Sequence, residues 1–388
     1  MFSAVLTADP GDFSGQSEAH HIVSNLKGMR VLPRNGTVCA DLYHGELMGQ
    51  FAVVAITGIG PVIAGLCTWE LVTKCGPLIR DLVYFGTSGW TPQKGGVLNP
   101  PQCKAANDYG EIIRIGDACV SPFTVNGNCK KSNWRGQSKG YPNQCFRPEE
   151  ASGPNATYLY GQCQFYADNI RANLQLSNEV TRAATSARAR ASYPTRSGVV
   201  LRQEARYWEL MGEGTHVRYP EITDEGPPTV WDHTECMEVD GQFFWTDVPY
   251  EVKARDYVAE AINSAMGLSG GDRVGPDDVI AVSAMEGVGV NEAMSRYHSQ
   301  ATTLRHIPYT HVRTISNWLH SPVIQVEPGE WAIYRDVPED YVNGYAYAIA
   351  TGSALVMSLF QDRCLHRESG SGATAKVADT LCAFSIGY

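Results

Sequence analysis

The sequence predicts an α/β fold, in which helices flank a central sheet. The first observation is the segment Gln50–Thr57, which is too continuously apolar for a strand with one face in water. The second is the helical spacing of apolar residues over Val62–Lys74, and the third is a further strand-like run at Asp81–Phe85. The order strand, helix, strand is typical of the βαβ units from which α/β proteins are built.

Other elements of the first half follow from similar patterns. Residues 2–8 are predicted to form a short buried strand that ends at the loop signal Asp9–Asp12, and a helix is predicted at His20–Asn25. Two glycine-rich segments, Gly58–Pro61 and Gly86–Gly89, are predicted to be turns that follow strands. The chain therefore alternates between apolar strands and glycine-rich turns.

The rest of the chain contains one more short strand and several helices. The strand is predicted at Ile115–Val120, and helices are predicted at Phe165–Thr185, Tyr250–Met266 and Tyr341–Cys364. Ser186–Arg196 reads as a loose connection. No internal repeat or linker divides the 388 residues, so we predict a single domain.

The charge and the apolar runs of the chain argue against a nucleic-acid-binding protein and against a membrane-spanning one. A net charge of −10 argues against a nucleic-acid partner, because phosphate contacts need clustered Lys and Arg. The arginine-rich run Arg182–Arg206 is interrupted by acidic residues and proline, which favours a solvated helix face or loop. The sequence also lacks an uninterrupted apolar run of about 18 residues, so no membrane span is predicted.

The cysteine content indicates an oxidising compartment. Eleven cysteines are many for a cytosolic enzyme, and none has the spacing of a zinc site, so we expect disulfides and no metal. Five of them lie in or beside a Gly/Asn/Pro-rich stretch: Cys103, Cys119, Cys129, Cys145 and Cys163. The odd total leaves at least one thiol unpaired. Sequons at Asn35 and Asn155 agree with a secreted or vacuolar glycoprotein, although no signal peptide is visible.

Two polar segments follow apolar runs in the last third of the chain. Met285-Glu286 comes after the run Val279–Val282, and Arg313–Asn317 comes after Thr310–Val312. Open α/β sheets bind ligands at the carboxyl ends of their strands. We therefore expect these two segments to form two walls of one pocket.

The order Met285-Glu286, helix, strand, Arg313–Asn317 resembles the nucleoside phosphorylase and nucleosidase superfamily, and in particular its purine nucleoside permease branch. The region 50–121 is also similar to plant bark storage proteins. The resemblance implies one three-layer domain with a central mixed, twisted sheet. Two segments, at about 123–163 and 182–235, have no counterpart in the family and are interpreted as insertions, the first of them stapled by disulfides.

The resemblance implies which residues bind the sugar and which bind the base of a purine nucleoside. Glu286 would bind the ribose hydroxyls, since one carboxylate accepts two hydrogen bonds, and Met285 would pack under the sugar. Without the resemblance, a glutamate stabilised by a helix N-terminus is the more ordinary interpretation. Ser316 and Asn317 would face the purine, where hydrolases of the family usually have an aspartate that protonates the base. Asn317 can donate and accept hydrogen bonds but cannot supply that proton.

Two further segments complete the expected pocket. Phe243 would stack on the base beside Phe244, and a strand with core aromatics is an equally good interpretation. Thr87, Ser88 and Gly89 match the family's phosphate or water loop, for which a plain turn is the alternative. Many phosphorolytic members have an arginine where this chain has Tyr84, which favours hydrolysis over phosphorolysis.

A water-activating carboxylate is expected on the first loop. Asp12 is the nearest equivalent in the sequence, and Asp9 is the alternative. The resemblance implies no cofactor, with phosphate as an optional co-substrate, and a small nucleoside-like substrate; a homo-oligomer is a further expectation. The predicted function is cleavage of a purine N-glycosidic bond, or a related reaction on another small substrate. The alternative is a secreted binding, transport-associated or storage protein that retains the pocket without turnover.

Overall fold

The computed structural model describes fifteen segments of the chain. They are residues 1–12, 14–33, 36–91, 94, 111–126, 130–132, 157–159, 165–166, 170–212, 226–240, 248–300, 306–319, 323–327, 330–333 and 338–370. The strands are β1 Phe2–Thr7, β2 Lys27–Val31, β3 Asp41–Leu47, β4 Gln50–Ile56, β5 Ile79–Trp90, β6 Ala118–Ser121, β7 Thr124–Asn126, β8 Lys130–Ser132, β9 Thr157–Leu159, β10 Phe165–Tyr166, β11 Val230–Trp231, β12 Cys236–Asp240, β13 Ile280–Ala284, β14 Tyr309–Trp318, β15 Val323–Glu327 and β16 Glu330–Ile333. The helices are α1 His20–Ser24, α2 Pro61–Cys75, α3 Ile170–Thr185, α4 Ala187–Arg190, α5 Gly198–Gly212, α6 Val248–Met266, α7 Gly287–Gln300 and α8 Pro338–Gly370.

A mixed central sheet runs through the molecule, as predicted. Its main path is β10-β7-β12-β13-β5-β1-β4-β3-β2, and β14 pairs with β5 and with β6. The central strands β4, β1, β5 and β14 run parallel to one another, whereas β2 and β3 pair antiparallel, as do β3 and β4, β6 and β14, and β13 and β5. The parallel strands bring the ends of β5 and β14 to the same edge of the sheet. The α/β fold with a mixed sheet is therefore confirmed.

Helices cover both faces of this sheet. Along β1 the side chains alternate, so Val5 packs towards α3 and α8 while Ala4 packs towards α2 and α7. The helices α2 and α7 approach closely because Gly65 meets Gly289, where a Cβ on Gly289 would lie 1.8 Å from the carbonyl oxygen of Pro61. Both faces of the central strands are thus buried, which explains their continuously apolar sequences.

The predicted turn at Gly86–Gly89 is wrong, because β5 continues through these residues to Trp90. Both glycines make room for side chains of neighbouring residues. A Cβ on Gly86 would lie 2.2 Å from Nη1 of Arg313, and one on Gly89 would lie 2.5 Å from Cδ2 of Leu319. These glycines therefore allow close approach within a strand, a role that is indistinguishable from a turn at the level of sequence.

Several other boundaries differ from the predictions. The strand that contains Arg313–Asn317 is longer than its apolar part, since β14 extends to Trp318. Phe165-Tyr166 is a short strand rather than the start of α3, and the connection after α3 contains α4. The hairpin of β2 and β3 was not predicted, because β2 is exposed along its length and lacks an apolar run.

Disulfide bonding is confirmed for five described cysteines, one of which is Cys364 of α8. Cys39 is bonded to Cys67 of α2, and Cys119 of β6 is bonded to Cys236 of β12. Cys75 is a free thiol. Several predictions lie outside the described residues, namely those for Cys103, Cys129, Cys145, Cys163, Asn35 and Asn155. No described helix is both long and apolar enough to cross a membrane.

Candidate functional site

Polar side chains gather at the carboxyl ends of β5, β12, β13 and β14. On β14, His311 and Arg313 are two residues apart and therefore lie on the same face of the sheet, and the same is true of Glu238 and Asp240 on β12. All four side chains are buried. Because charged groups are seldom buried without partners, this concentration marks the candidate site.

Arg313 is at the centre of this cluster and is 1% exposed. Its Nη2 donates to Oε1 of Glu238 at 2.6 Å and lies 3.5 Å from Oε2 of Glu286. The guanidinium is 4.7 Å from the centre of the Tyr84 ring, and it passes over Gly86, the residue opposite Arg313 on β5. The other two nitrogens, Nε and Nη1, have no hydrogen-bond partner among the described residues. Arg313 therefore has donors available beyond the two carboxylates.

Glu286 is brought to this cluster by the end of β13 and the start of α7. Its Oε1 accepts a hydrogen bond of 3.2 Å from the backbone N–H of Gly60, in the turn before α2. Burial raises its pKa to about 7, with a further contribution from the charge of Glu18, although Arg313 opposes the shift. The preceding Met285 is half-buried. A predicted site residue therefore lies in the cluster, with a carboxyl group that titrates near neutrality.

A second carboxylate, Glu18, was not identified from the sequence. Its Oε1 accepts from the N–H and the hydroxyl of Thr87, at 2.8 and 3.0 Å, and its Oε2 accepts from the N–H groups of Ala8 and Asp9. Burial raises its pKa, while these hydrogen bonds and Arg313 act in the opposite direction. The only sequence signal was an acidic residue directly before α1.

The first loop buries Glu18 and leaves Asp12 at the surface. Gly11 and Gly15 have φ angles of 119° and 73°, which let the loop fold back so that Glu18 reaches the end of β1. Asp12 is exposed, and its backbone N–H donates to Oδ1 of Asp9 at 2.7 Å. The loop thus buries a carboxylate six residues beyond the predicted one.

A chain of buried hydrogen bonds holds the other side of Arg313. His311 Nδ1 lies 2.9 Å from Oε2 of Glu238, and His311 Nε2 lies 2.6 Å from Oδ1 of Asn291 on α7. The Asn291 amide donates in turn to the hydroxyl of Thr124. Burial would raise the pKa of Glu238, but Arg313 and His311 hold it at about 2. Glu238 is therefore the ionised partner of Arg313.

The start of α7 is also bound by the carboxylates of β12. Glu238 accepts from the N–H of Gly287 at 3.2 Å, and Asp240 accepts from the N–H of Val288 at 2.6 Å. Burial and the charges of Glu238 and Glu286 raise the pKa of Asp240 well above its usual value. Protonated Asp240 carries no charge, so Arg313 has less negative charge to balance than it would with an ionised Asp240.

The predicted base end lies at an irregularity of β14. The pairing with β5 shifts between Ile315 and Asn317, so that Ser316 is the extra residue of a β-bulge. The Ser316 hydroxyl lies 2.8 Å from Oδ1 of Asn317 and 3.0 Å from the carbonyl oxygen of Ser88. Asn317 is half-buried, and its Nδ2 lies next to Gly89. The serine donates to the amide oxygen of Asn317, and Nδ2 of Asn317 donates to the carbonyl oxygen of Trp318 at 3.3 Å. The second N–H of Nδ2 is the donor that remains for a ligand.

The remaining predicted residues have different outcomes. Ser88 is buried, and its hydroxyl donates to the carbonyl oxygen of Thr314 at 3.3 Å, so it is engaged within the sheet. Phe243 and Phe244 lie outside the described residues. Among the described residues, no group of His, Cys, Asp and Glu side chains is arranged to hold a metal ion.

The electrostatics of the cluster favour a neutral ligand with hydroxyl groups over an anion. Four buried carboxyl groups, Glu18, Glu238, Asp240 and Glu286, surround a single guanidinium. Burial and the charge of Glu286 raise the pKa of the Tyr84 phenol, which keeps it neutral. A phosphate ion would be repelled by ionised Glu238 and would find only one cation among these side chains, and Glu238 already binds that cation.

The pKa of Glu286 leads to a prediction with opposite signs for stability and binding. The folded-state pKa of Glu286 is raised from 4.5 to about 7. The contribution of Glu286 to the free energy of unfolding is therefore fully present below about pH 4.5 and is lost as the pH rises through 7. Hydrogen bonds from two hydroxyls require the carboxylate, so nucleoside affinity should rise over the same range, up to about tenfold per pH unit below the pKa. Calorimetric titrations and thermal melts from pH 5 to 9 measure both. A parallel rise or fall of affinity and stability would contradict the assignment.

No protein-family model and no curated protein matches the chain. Solved structures do align with it. The 5′-methylthioadenosine/S-adenosylhomocysteine nucleosidase of Neisseria meningitidis, in complex with methylthio-immucillin-A, is 14% identical with a TM-score of 0.45, and the alignment covers 92% of this chain and 97% of that chain. The S. pneumoniae nucleosidase with the inhibitor MT-ImmA is 12% identical with a TM-score of 0.44, covering 93% and 98%.

A futalosine hydrolase mutant from Helicobacter pylori strain 26695 is 13% identical with a TM-score of 0.42, and the alignment covers 93% of this chain and 99% of that chain. Identities and TM-scores this low do not assign an activity, which has to follow from the residues of the site.

Proposed function

We propose that this protein hydrolyses the N-glycosidic bond of a purine nucleoside. The observation that carries the proposal is the placement of two carboxyl groups, Glu18 and Glu286, in different surroundings on either side of Arg313. Both have raised pKa values and both are buried, as is common for groups that bind or transfer protons. Each suits a separate task in the reaction.

Glu286 is proposed to bind the sugar. As a carboxylate it accepts hydrogen bonds from the 2′ and 3′ hydroxyls, and these bonds strengthen as the ribose becomes an oxocarbenium ion. The N–H of Gly60 and the guanidinium of Arg313 fix the orientation of the carboxylate. Half-buried Met285 provides an apolar surface for the ribose ring beside it.

Glu18 is proposed to activate water, in place of Asp12. A Cβ on Gly86 would lie 2.2 Å from Nη1 of Arg313 and 3.4 Å from Oε1 of Glu18, so both groups lie close to this glycine. A water molecule that donates to Glu18 gives its proton to this carboxylate as its oxygen attacks C1′. The hydroxyl of Thr87 bonds to the same carboxylate oxygen and positions it.

Asn317 is proposed to stabilise the leaving base. As the C1′–N9 bond breaks, its electron pair passes to the purine, and Nδ2 of Asn317 donates a hydrogen bond to the ring nitrogen that becomes more basic. The proton that the base finally acquires comes from solvent, since an amide does not release one. The products are the free base and ribose, and the reaction consumes one water.

Product analysis tests this proposal against its competitors. The protein is incubated with adenosine, inosine, guanosine or methylthioadenosine, with and without phosphate, and free base, pentose and pentose 1-phosphate are measured. Free base and free pentose that form independently of phosphate support hydrolysis. Phosphate-dependent pentose 1-phosphate would contradict it, and binding without turnover would place the protein among the storage or transport-associated binders. Glu18→Gln should remove turnover, whereas Asp12→Asn is the matched control that should retain it.

A further inference from the structure

Gln203 of α5 has an unusual environment. The residue is 4% exposed, and within the described part of the chain neither its amide oxygen nor its amide nitrogen has a hydrogen-bond partner. A buried amide without any partner costs free energy in the folded protein, so such groups are rare and call for an explanation. A ligand that pairs with the amide is one explanation, provided that Gln203 lies next to a binding site.

The position of Gln203 meets this condition. A Cβ on Gly344 of α8 would lie 2.7 Å from the carbonyl oxygen of Ser316 and 2.9 Å from Oε1 of Gln203, so all three groups meet at this glycine. Ser316 is the bulged residue directly before Asn317. Gln203 is therefore next to the backbone at the base end of the candidate site.

The same turn of α8 also contacts the other side of the site. Tyr345 follows Gly344, and its hydroxyl donates to Oδ2 of Asp9 on the first loop at 2.8 Å. Asp9 in turn donates its N–H to Glu18. The start of α8 thus lies across the strand ends, between Gln203 and the loop that carries Glu18.

Gln203 is held firmly in this place by its neighbours on α5. Glu204 accepts from the N–H of Ile115 at 2.8 Å and from Nη2 of Arg114 at 2.6 Å, and it is 1% exposed. Val200, one turn before Gln203, packs in the same apolar cluster as Ile315 of β14. The orientation of α5, and with it the position of the Gln203 backbone, is therefore fixed on two sides.

We propose that Gln203 is a specificity-determining residue that pairs with the purine edge formed by N1 and the 6-substituent. This inference rests on the proposed function. A primary amide places one acceptor beside one donor, which matches adenine, with its 6-amino donor and N1 acceptor. Turning the amide over matches a 6-oxo purine as well, so the ligand class is a 6-substituted purine.

Adenine and purine are the probes, because they differ only in the 6-amino group and the protein does not cleave them. In the wild-type protein, adenine should bind about 10-fold or more tightly than purine. Purine lacks the 6-amino group, so it leaves one half of the buried Gln203 amide without a hydrogen bond. Gln203→Met keeps the length of the side chain and removes the amide, so the ratio of the two dissociation constants should fall to near one. Gln175→Met, at an exposed position of α3, is the matched control and should leave the ratio unchanged.

A second readout separates recognition from a structural role. Because the unpaired amide destabilises the ligand-free protein, Gln203→Met should raise Tm by a few degrees, whereas loss of a structural hydrogen bond would lower it. An unchanged ratio of dissociation constants in Gln203→Met would overturn this inference and leave the hydrolase proposal standing. If the wild-type protein binds neither base, both proposals are overturned; if it binds both bases but cleaves no nucleoside, only the hydrolase proposal is.

Discussion

Replacing Glu286 by Gln is expected to reduce kcat/KM for the nucleoside by about 100-fold or more while the fold stays intact. Two charge-assisted hydrogen bonds to the ribose hydroxyls are weakened, and each contributes about 1.5–3 kcal/mol. The amide resembles the protonated carboxyl group that burial already favours at this position, so Tm at neutral pH should not fall. Steady-state kinetics and thermal melts measure the two effects.

Glu292, on the same helix, provides the matched control. Its Oε1 accepts from Nε of Arg296 one turn further along α7, and the pair lies at the surface. Glu292→Gln should therefore leave kcat/KM within about twofold, because a surface i,i+4 pair contributes only about 0.3–0.5 kcal/mol. If Glu286→Gln retained full activity, Glu286 would not be the residue that binds the ribose hydroxyls.

Replacing Arg313 by Met is expected to have the largest effect on stability. It leaves Glu238, which is 1% exposed, without its cation, and removal of one partner from a buried pair costs about 3–5 kcal/mol. Turnover should be lost as well, since Glu286 and Glu18 both face the guanidinium. Denaturant titration gives the free energy of unfolding, and Arg296→Met at the surface should change it by less than about 0.5 kcal/mol. A loss of less than about 1 kcal/mol in the free energy of unfolding of Arg313→Met would show that the stability of the cluster does not depend on this charge.

The parts of the structure that depend on local sequence were predictable. The strands β1 and β4 follow from their apolar runs, because both faces of the sheet are covered there, and the helix α2 follows from the spacing of the apolar residues on its buried face. Glu286 was predicted because strand, glutamate and helix follow one another directly in the chain. What fixes the glutamate in place, the N–H of Gly60, comes from a residue 226 positions away.

The parts that depend on distant contacts were not predictable. Gly86 looked like a turn because a sequence does not reveal that Arg313, on another strand, needs the space of its missing side chain. Glu18 was missed because only the left-handed glycines of the first loop bring it under β1. Glu238 and His311 belong to separate strands and have no local signal that they meet.

The central claim is that the carboxyl groups around Arg313 form the sugar end of a nucleoside site and that Asn317 forms its base end. A crystal structure with a nucleoside whose ribose and base are joined by a carbon–carbon bond tests this most directly, because such a ligand is not cleaved. We predict both ribose hydroxyls within about 3.2 Å of the Glu286 carboxylate and a ring nitrogen within the same distance of Asn317 Nδ2. A ligand bound away from these two residues, for example in the 620 Å³ cavity that α3 and α8 line near Arg363, would contradict the account.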